Sequence, residues 1–266
     1  MANGRTMITS TSNQRIKDAR KLQSRRHRQA TGKLFLEGVR LIGDAVQSGC
    51  WPELLFFVPE LMVANPQGAQ LVAQVQAAGS ECLACTEPVF ATLAETVTPQ
   101  GIAAIVQLPH LSPPAQPTFT LILDGIRDPG NAGTLLRSAE AAGIELVLFG
   151  PETVDAFNDK VVRAGMGAHF RLPLRTCADW SAVRQWLSTA QQLYVAEADA
   201  ATAYDQVDWR RPAALVVGGE ATGPSRVARA AAQPLAIPML GKVESLNAAI
   251  AGAIILFEAA RQRRHG

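Results

Sequence analysis

The second half of the chain repeats one pattern: a short apolar run, a loop bearing glycine or proline, then a stretch with helical spacing. The runs are 118–123 (TFTLIL), 145–149 (ELVLF), 193–196, 213–217 (AALVV) and 235–237. The helical stretches are 131–142, 178–190, one opening at Pro224, and a last one over 245–263; 161–167 is a short glycine-interrupted segment. Runs this apolar are buried on both faces, and intervening helices allow their strands to pair in parallel. The pattern therefore predicts an α/β fold with a parallel sheet, with ligands bound beyond the carboxyl ends of the strands.

The first half is less regular. Residues 109–117, PHLSPPAQP, hold four prolines and almost no periodicity, and read as a stiff linker. Ahead of it, 15–30 reads as a basic helix, 35–47 as a helix ending at Gly49, 54–58 (LLFFV) as a buried strand and 69–78 as a helix stopped by Gly79. Residues 82–85 and 101–106 read as short strands. The expectation is a small α/β layer domain over 1–108 and a parallel-sheet domain over 118–266.

Charge is distributed unevenly along this frame. Residues 1–40 carry ten basic residues (Arg5, Arg15, Lys17, Arg20, Lys21, Arg25, Arg26, Arg28, Lys33 and Arg40) against Asp18 and Glu37, in a protein whose net charge is only +2. Such a local excess points to a polyanion, with nucleic acid the first candidate. The plain alternative is a solvated basic helix. With 48 % hydrophobic residues the chain can build a core, which excludes global disorder. No apolar run reaches the roughly 20 residues of a spanning helix. The N-terminus has no signal-peptide character. Four cysteines in 266 residues do not make a disulfide scaffold, so the expectation is reduced thiols in a cytoplasmic protein. Cys82-Leu-Ala-Cys85 is a lone CxxC without a second pair, and the four histidines are scattered, so no metal site is expected.

Three loops carry candidate chemistry. The first, 123–137 (LDGIRDPGNAGTLLR), runs off a strand into a helix starting near Asn131, with Arg137 further along it. Its plain reading is a tight turn, an Asn cap and a solvent-facing Arg. The second, 216–225 (VVGGEATGPS), lets a ligand approach the backbone at Gly218 and Gly219. It is not a phosphate-binding P-loop, because Pro224 stands where the Lys is needed, nor GxGxxG, because position 220 is Glu. An acid there suits a cationic ligand such as a sulfonium; its plain reading is a favourable charge at a helix N-terminus. The third, 237–263, has Ile237, Pro238, Met239 and Gly241 in a loop, then Ser245 and Asn247 at a helix start, with Ser245 the expected cap. Twelve of the fifteen residues from 246 to 260 are Ala, Leu, Ile or Phe. A helix apolar all round needs cover on more than one side, most simply the sheet and a two-fold partner subunit.

These three blocks, in this order, resemble the signature of the SpoU/TrmH group of SPOUT RNA ribose methyltransferases. The front half, with ITSTSNQRIKDARKL, GKLFLEGVRLIGDAV and TPQGIAAIV, resembles the ribosomal-protein-like substrate-binding domain found beside it in rRNA-modifying members. The resemblance implies a deep trefoil knot, S-adenosylmethionine as methyl donor, and a homodimer. It places cofactor contacts on Gly218, Gly219, Ile237, Met239 and Leu246, and the catalytic set on Asn131, Arg137, Glu220, Ser245 and Asn247. RNA contacts would come from Arg15, Lys17, Arg20, Lys21, Arg25, Arg26, Arg28 and Lys33. One departure is visible: Glu220 is followed by Ala221 where the family often has Gly. The implied reaction is 2′-O-ribose methylation of RNA, with large-subunit rRNA first and tRNA second. Two other readings compete: an inactive RNA-binding or ribosome-assembly protein of the same fold, and a nucleotide-dependent Rossmann enzyme. The intact catalytic set speaks against the former and the absence of GxGxxG against the latter.

Overall fold

The computed structural model describes residues 7–264 and resolves into two compact units, Met1–Pro109 and His110–Gly266. Arg5 lies outside the described residues.

In the first unit the basic stretch forms two helices instead of one, α1 (Gln14–Lys21) and α2 (Arg25–Thr31). The break has a specific cause. The Arg28 guanidinium folds back and donates to the carbonyls of Leu22 and Gln23, each at 2.8 Å, satisfying groups that end α1. Strand β1 (Lys33–Glu37) follows and α3 begins only at Val39 (Val39–Gln47), correcting the helix expected over 35–47. The strand signal was present: Leu34 and Leu36 are buried while Lys33, Phe35 and Glu37 are only partly so, a period of two. Gly38, at φ 98, makes the turn between them. The rest comprises β2 (Leu54–Phe57), α4 (Pro59–Val63), α5 (Pro66–Ala77), β3 (Glu81–Ala84), α6 (Glu87–Ala91) and β4 (Ile102–Gln107). The sheet order is β1-β4-β2-β3, with β4 antiparallel to β1 and β2, and β3 parallel to β2. Cys82 and Cys85 are buried, and burial pushes the Cys85 thiol up to about 12, so it is inert.

The second unit is a six-stranded sheet, all parallel, in the order β10-β8-β9-β5-β6-β7. Its elements are β5 (Phe119–Asp124), α7 (Pro129–Ala141), β6 (Leu146–Phe149), α8 (Asp159–Gly165), β7 (Leu174–Thr176), α9 (Trp180–Gln185), β8 (Gln192–Ala196), β9 (Ala213–Gly218), α10 (Arg226–Ala231), β10 (Gln233–Leu235) and α11 (Ala248–Arg264). Alternate residues of the central strands serve opposite faces. Leu121, Leu123, Leu215 and Val217 pack in one cluster with Leu135 and Leu136 of α7 and Ile255 and Leu256 of α11. Ile122, Ala214 and Val216 pack in the other with Trp180 and Val183 of α9 and Ala228 of α10. This two-sided burial is what the uniformly apolar runs require. Because β5 pairs with β9, the loops leaving their carboxyl ends lie side by side, and that is where the site forms.

Candidate functional site

The helix after β5 starts earlier than the sequence suggests. Its cap is Asp128, whose carboxylate accepts the Asn131 N–H at 2.7 Å; Pro129 occupies the first turn. Asn131 is thereby released from capping, and its side chain points across the site. The Asn131 amide nitrogen donates to Glu220 Oε1 at 2.7 Å, and its Oδ1 accepts from Asn247 Nδ2 at 3.0 Å. Asn247, not Ser245, caps the last helix: its Oδ1 accepts the N–H groups of Ala249 and Ile250 at 2.9 and 3.2 Å. Backbone donors orient the Asn247 amide, Asn247 orients Asn131, and Asn131 orients Glu220. Three loops far apart in sequence are joined by one chain of hydrogen bonds with a single direction.

The second loop reaches this place through very close backbone packing. A Cβ on Gly218 would stand 2.1 Å from Pro224 N, and one on Gly219 would stand 2.3 Å from the Gly125 carbonyl oxygen. Both neighbours are backbone, so neither can move cheaply, and glycine is needed at both positions. The loop closes on itself through Gly223 N–H to Gly219 O at 2.9 Å.

Beside it lies a cavity of about 620 Å³, within the roughly 300–1,000 Å³ of small-molecule sites. Gly218, Gly219, Ile237, Met239 and Leu246 all line it, as do Glu220, Ser245 and Asn247. Leu235 and Ile255 add apolar wall, and Glu197, Asp199 and Arg229 add charge; Arg229 pairs with Glu197. An apolar wall with carboxylates suits a ligand with a flat heterocycle and a cationic centre, which is the chemistry of S-adenosylmethionine. The residues present therefore fit that group.

Arg137 stands apart. It is exposed on α7 and, like Asn131, is not among the residues that line the cavity. Among the expected RNA contacts, Lys17, Arg20, Lys21, Arg25 and Arg26 are exposed. Arg15 pairs with Glu81 at 3.1 Å, Lys21 with Asp18 at 2.8 Å and Lys33 with Glu53 at 2.5 Å, all on the surface. Arg28 is 5 % exposed and spent on helix carbonyls, which removes it from the RNA-contacting set. Reading for motifs missed Asp128, Glu197, Asp199 and Arg229. Of these, 197 and 199 follow the carboxyl end of β8, where ligand loops are expected.

The comparisons with known proteins decide the family. Residues 118–257 match the SpoU rRNA Methylase family, and residues 13–104 match the MRM3-like substrate binding domain. The chain belongs to the SpoU rRNA Methylase family. It is therefore a methyltransferase of the α/β parallel-sheet type, and its methyl donor is S-adenosylmethionine. Among curated relatives, the 23S rRNA (guanosine(2553)-2′-O)-methyltransferase RlmP of Bacillus subtilis (strain 168) is 32 % identical over 251 residues, covering 94 % of this chain and 97 % of its own. The mitochondrial rRNA methyltransferase 3 of Homo sapiens is 34 % identical over 317 residues, covering 91 % and 71 %. Among solved structures, the AdoMet-bound rRNA methyltransferase of Sinorhizobium meliloti superposes with a TM-score of 0.81 at 32 % identity, covering 98 % of both chains. The SpoU methyltransferase AviRb of Streptomyces viridochromogenes, in complex with AdoMet, gives a TM-score of 0.81 at 28 % identity, covering 96 % and 100 %. No helix among the described residues is long and apolar enough to cross a membrane.

Proposed function

We propose that this enzyme methylates the 2′-hydroxyl of a ribose in large-subunit rRNA, in the cytoplasm, as a homodimer and without a metal ion. The observation that carries the reading is the directed chain from Asn247 through Asn131 to Glu220, set at the edge of the donor cavity. When bound, the donor supplies a methyl group activated by a sulfonium centre. The chain's own residues supply placement. The Glu220 carboxylate favours positive charge at the cavity, while Asn131, Ser245 and Asn247 offer amide and hydroxyl groups to a ribose. Alignment of a weak nucleophile with water excluded is the main source of rate in such a site. Arg137 clamps an RNA phosphate and stabilises charge developing on the attacking oxygen; a guanidinium does not give up its own proton.

The choice of rRNA is supported by what the relatives act on and by the exposed cations of α1 and α2, which suit a phosphate backbone. Dimerisation is supported by α11, where Ile250 and Phe257 are 54 % and 50 % exposed, with Ile254 half-buried between them on the same stripe. The knot implied by the family resemblance is supported by the clasp around 235–236. Leu235 and Ala236 are held by hydrogen bonds to Glu197, Thr202 and Tyr204 before the chain turns back to α11 on α7. The test is mass-spectrometric mapping of ribose methylation in rRNA from cells with and without the gene. Loss of one 2′-O-methyl group in large-subunit rRNA, restored by the wild-type gene, is expected; an unchanged rRNA map contradicts the assignment.

A further inference from the structure

Asp124 ends β5 with a carboxylate that is only 2 % exposed. A charge removed from water is costly unless it is well hydrogen-bonded, so a buried Asp outside the catalytic set needs a reason. Its partners supply one. Its main-chain carbonyl accepts the Gly219 N–H at 3.0 Å, and its Oδ2 accepts the Ser225 N–H at 2.6 Å. The same residue thus holds the glycine loop 219–225 at both ends. Oδ1 accepts the indole N–H of Trp180 at 3.1 Å, and that N–H also reaches Ser225 Oγ at 3.1 Å. Ser225 Oγ in turn accepts the Ala228 N–H at 3.2 Å and so caps α10.

We infer that Asp124 is a positioning residue for the methyl donor: by pinning both ends of the glycine loop it sets where Gly218, Gly219 and Glu220 stand against the cavity. This rests on the assignment of that cavity to S-adenosylmethionine. The residue must be Asp because two donors face it, one on each oxygen. An Asn has one accepting oxygen, so its NH₂ would confront either the Ser225 N–H or the Trp180 N–H. The conflict falls on the loop, because β5 itself is held by two neighbouring strands. Trp180 supplies the one donor of the arrangement that comes from a side chain and so can be removed by substitution. Replacing it with Phe removes one donor, and an Asn at 124 can then turn its NH₂ toward the vacated side and keep its oxygen on Ser225.

The experiment compares full-length wild type, Asp124→Asn, Trp180→Phe and the double variant, by calorimetric titration with S-adenosylmethionine alongside thermal unfolding. Asp124→Asn should bind the donor on the order of tenfold more weakly, as expected for disruption of a hydrogen bond to a charged group. The double variant should recover to within a few-fold of Trp180→Phe. A folded Asp124→Asn with wild-type affinity, or one whose only change is a lower melting temperature, overturns the proposal. If Asp124→Asn does not fold, the double variant decides: it must fold and bind, and failure in either overturns the proposal as well. Absence of binding by the wild type would instead reject the donor assignment, so the two failures are distinguishable.

Discussion

Asn247→Asp separates two duties that a single side chain performs. Its oxygen caps α11 through Ala249 and Ile250, and its NH₂ donates to Asn131. Aspartate keeps the capping oxygens and adds a negative charge at the start of a 17-residue helix, worth about 0.3–1 kcal/mol in favour of folding. It removes the donor that faces Asn131 Oδ1. Asn131 must then either leave its oxygen against a carboxylate or turn its amide and lose the bond to Glu220. The first choice loses a neutral amide bond and sets two acceptors face to face, and the second loses the charge-assisted contact to Glu220, about 1.5–3 kcal/mol, which sets the scale. If that energy is expressed at the transition state, single-turnover methyl transfer at saturating donor slows roughly 10- to 150-fold. The melting temperature should stay level or rise, whereas Asn247→Ala should lower it through loss of a cap worth about 1 kcal/mol. Wild-type turnover in Asn247→Asp, or a loss of stability equal to that of the alanine variant, would refute the directed chain as the organiser of the site.

Four further outcomes are expected. Arg137→Ala should lose on the order of 10²–10³ in single-turnover rate with donor affinity retained, and Arg137→Lys should recover little; near-normal turnover would return Arg137 to the solvent surface. Neutralising Lys17, Arg20 and Arg26 together should weaken RNA binding and flatten its dependence on salt by up to about 2 units of log–log slope, measured by filter binding across ionic strength, while Arg28→Ala should act through stability instead. Ile250→Glu or Ile254→Glu should shift sedimentation from dimer to monomer, but Leu256→Glu should unfold the chain, because Leu256 is fully buried in its own core. His169 is fully buried, and burial pulls its pKa from the usual 6.5 down to about 4. The unfolded chain therefore binds the proton first as pH falls, so up to about 3 kcal/mol of stability is lost between pH 6.5 and 4. His169→Gln should flatten that part of a melting-temperature profile.

The parallel-sheet unit was legible because buried strands and glycine-bounded helices have distinct periods, and because three loops carry chemistry at fixed places in that order. The first unit was harder to read. The 35–47 stretch mixes a two-residue period in Lys33–Glu37 with a helical one in Val39–Gln47, and the helical residues dominate a window spanning both. The 15–30 helix is interrupted where Arg28 bonds back to the carbonyls of Leu22 and Gln23, six and five residues earlier, a side-chain contact that hydrophobic periodicity does not announce. Caps were misplaced for a related reason. Asp128 and Asn131, or Ser245 and Asn247, are both good cap residues, and only the packed loops show which of each pair is free for the site. Leu256 and Ile254 lie on the same uniformly apolar helix, and only packing against the sheet distinguishes the covered side from the open one.

The most direct test of the account is methyl transfer by the purified protein. It would be incubated with S-adenosylmethionine carrying a labelled methyl group and unmodified large-subunit rRNA, and the RNA then hydrolysed in alkali. Methylation of a ribose 2′-oxygen blocks cleavage at that nucleotide, so label recovered in an alkali-resistant dinucleotide is the predicted result, with Asn247→Asp giving the same product more slowly. Label recovered only in mononucleotides would place the methyl group on a base and contradict the account.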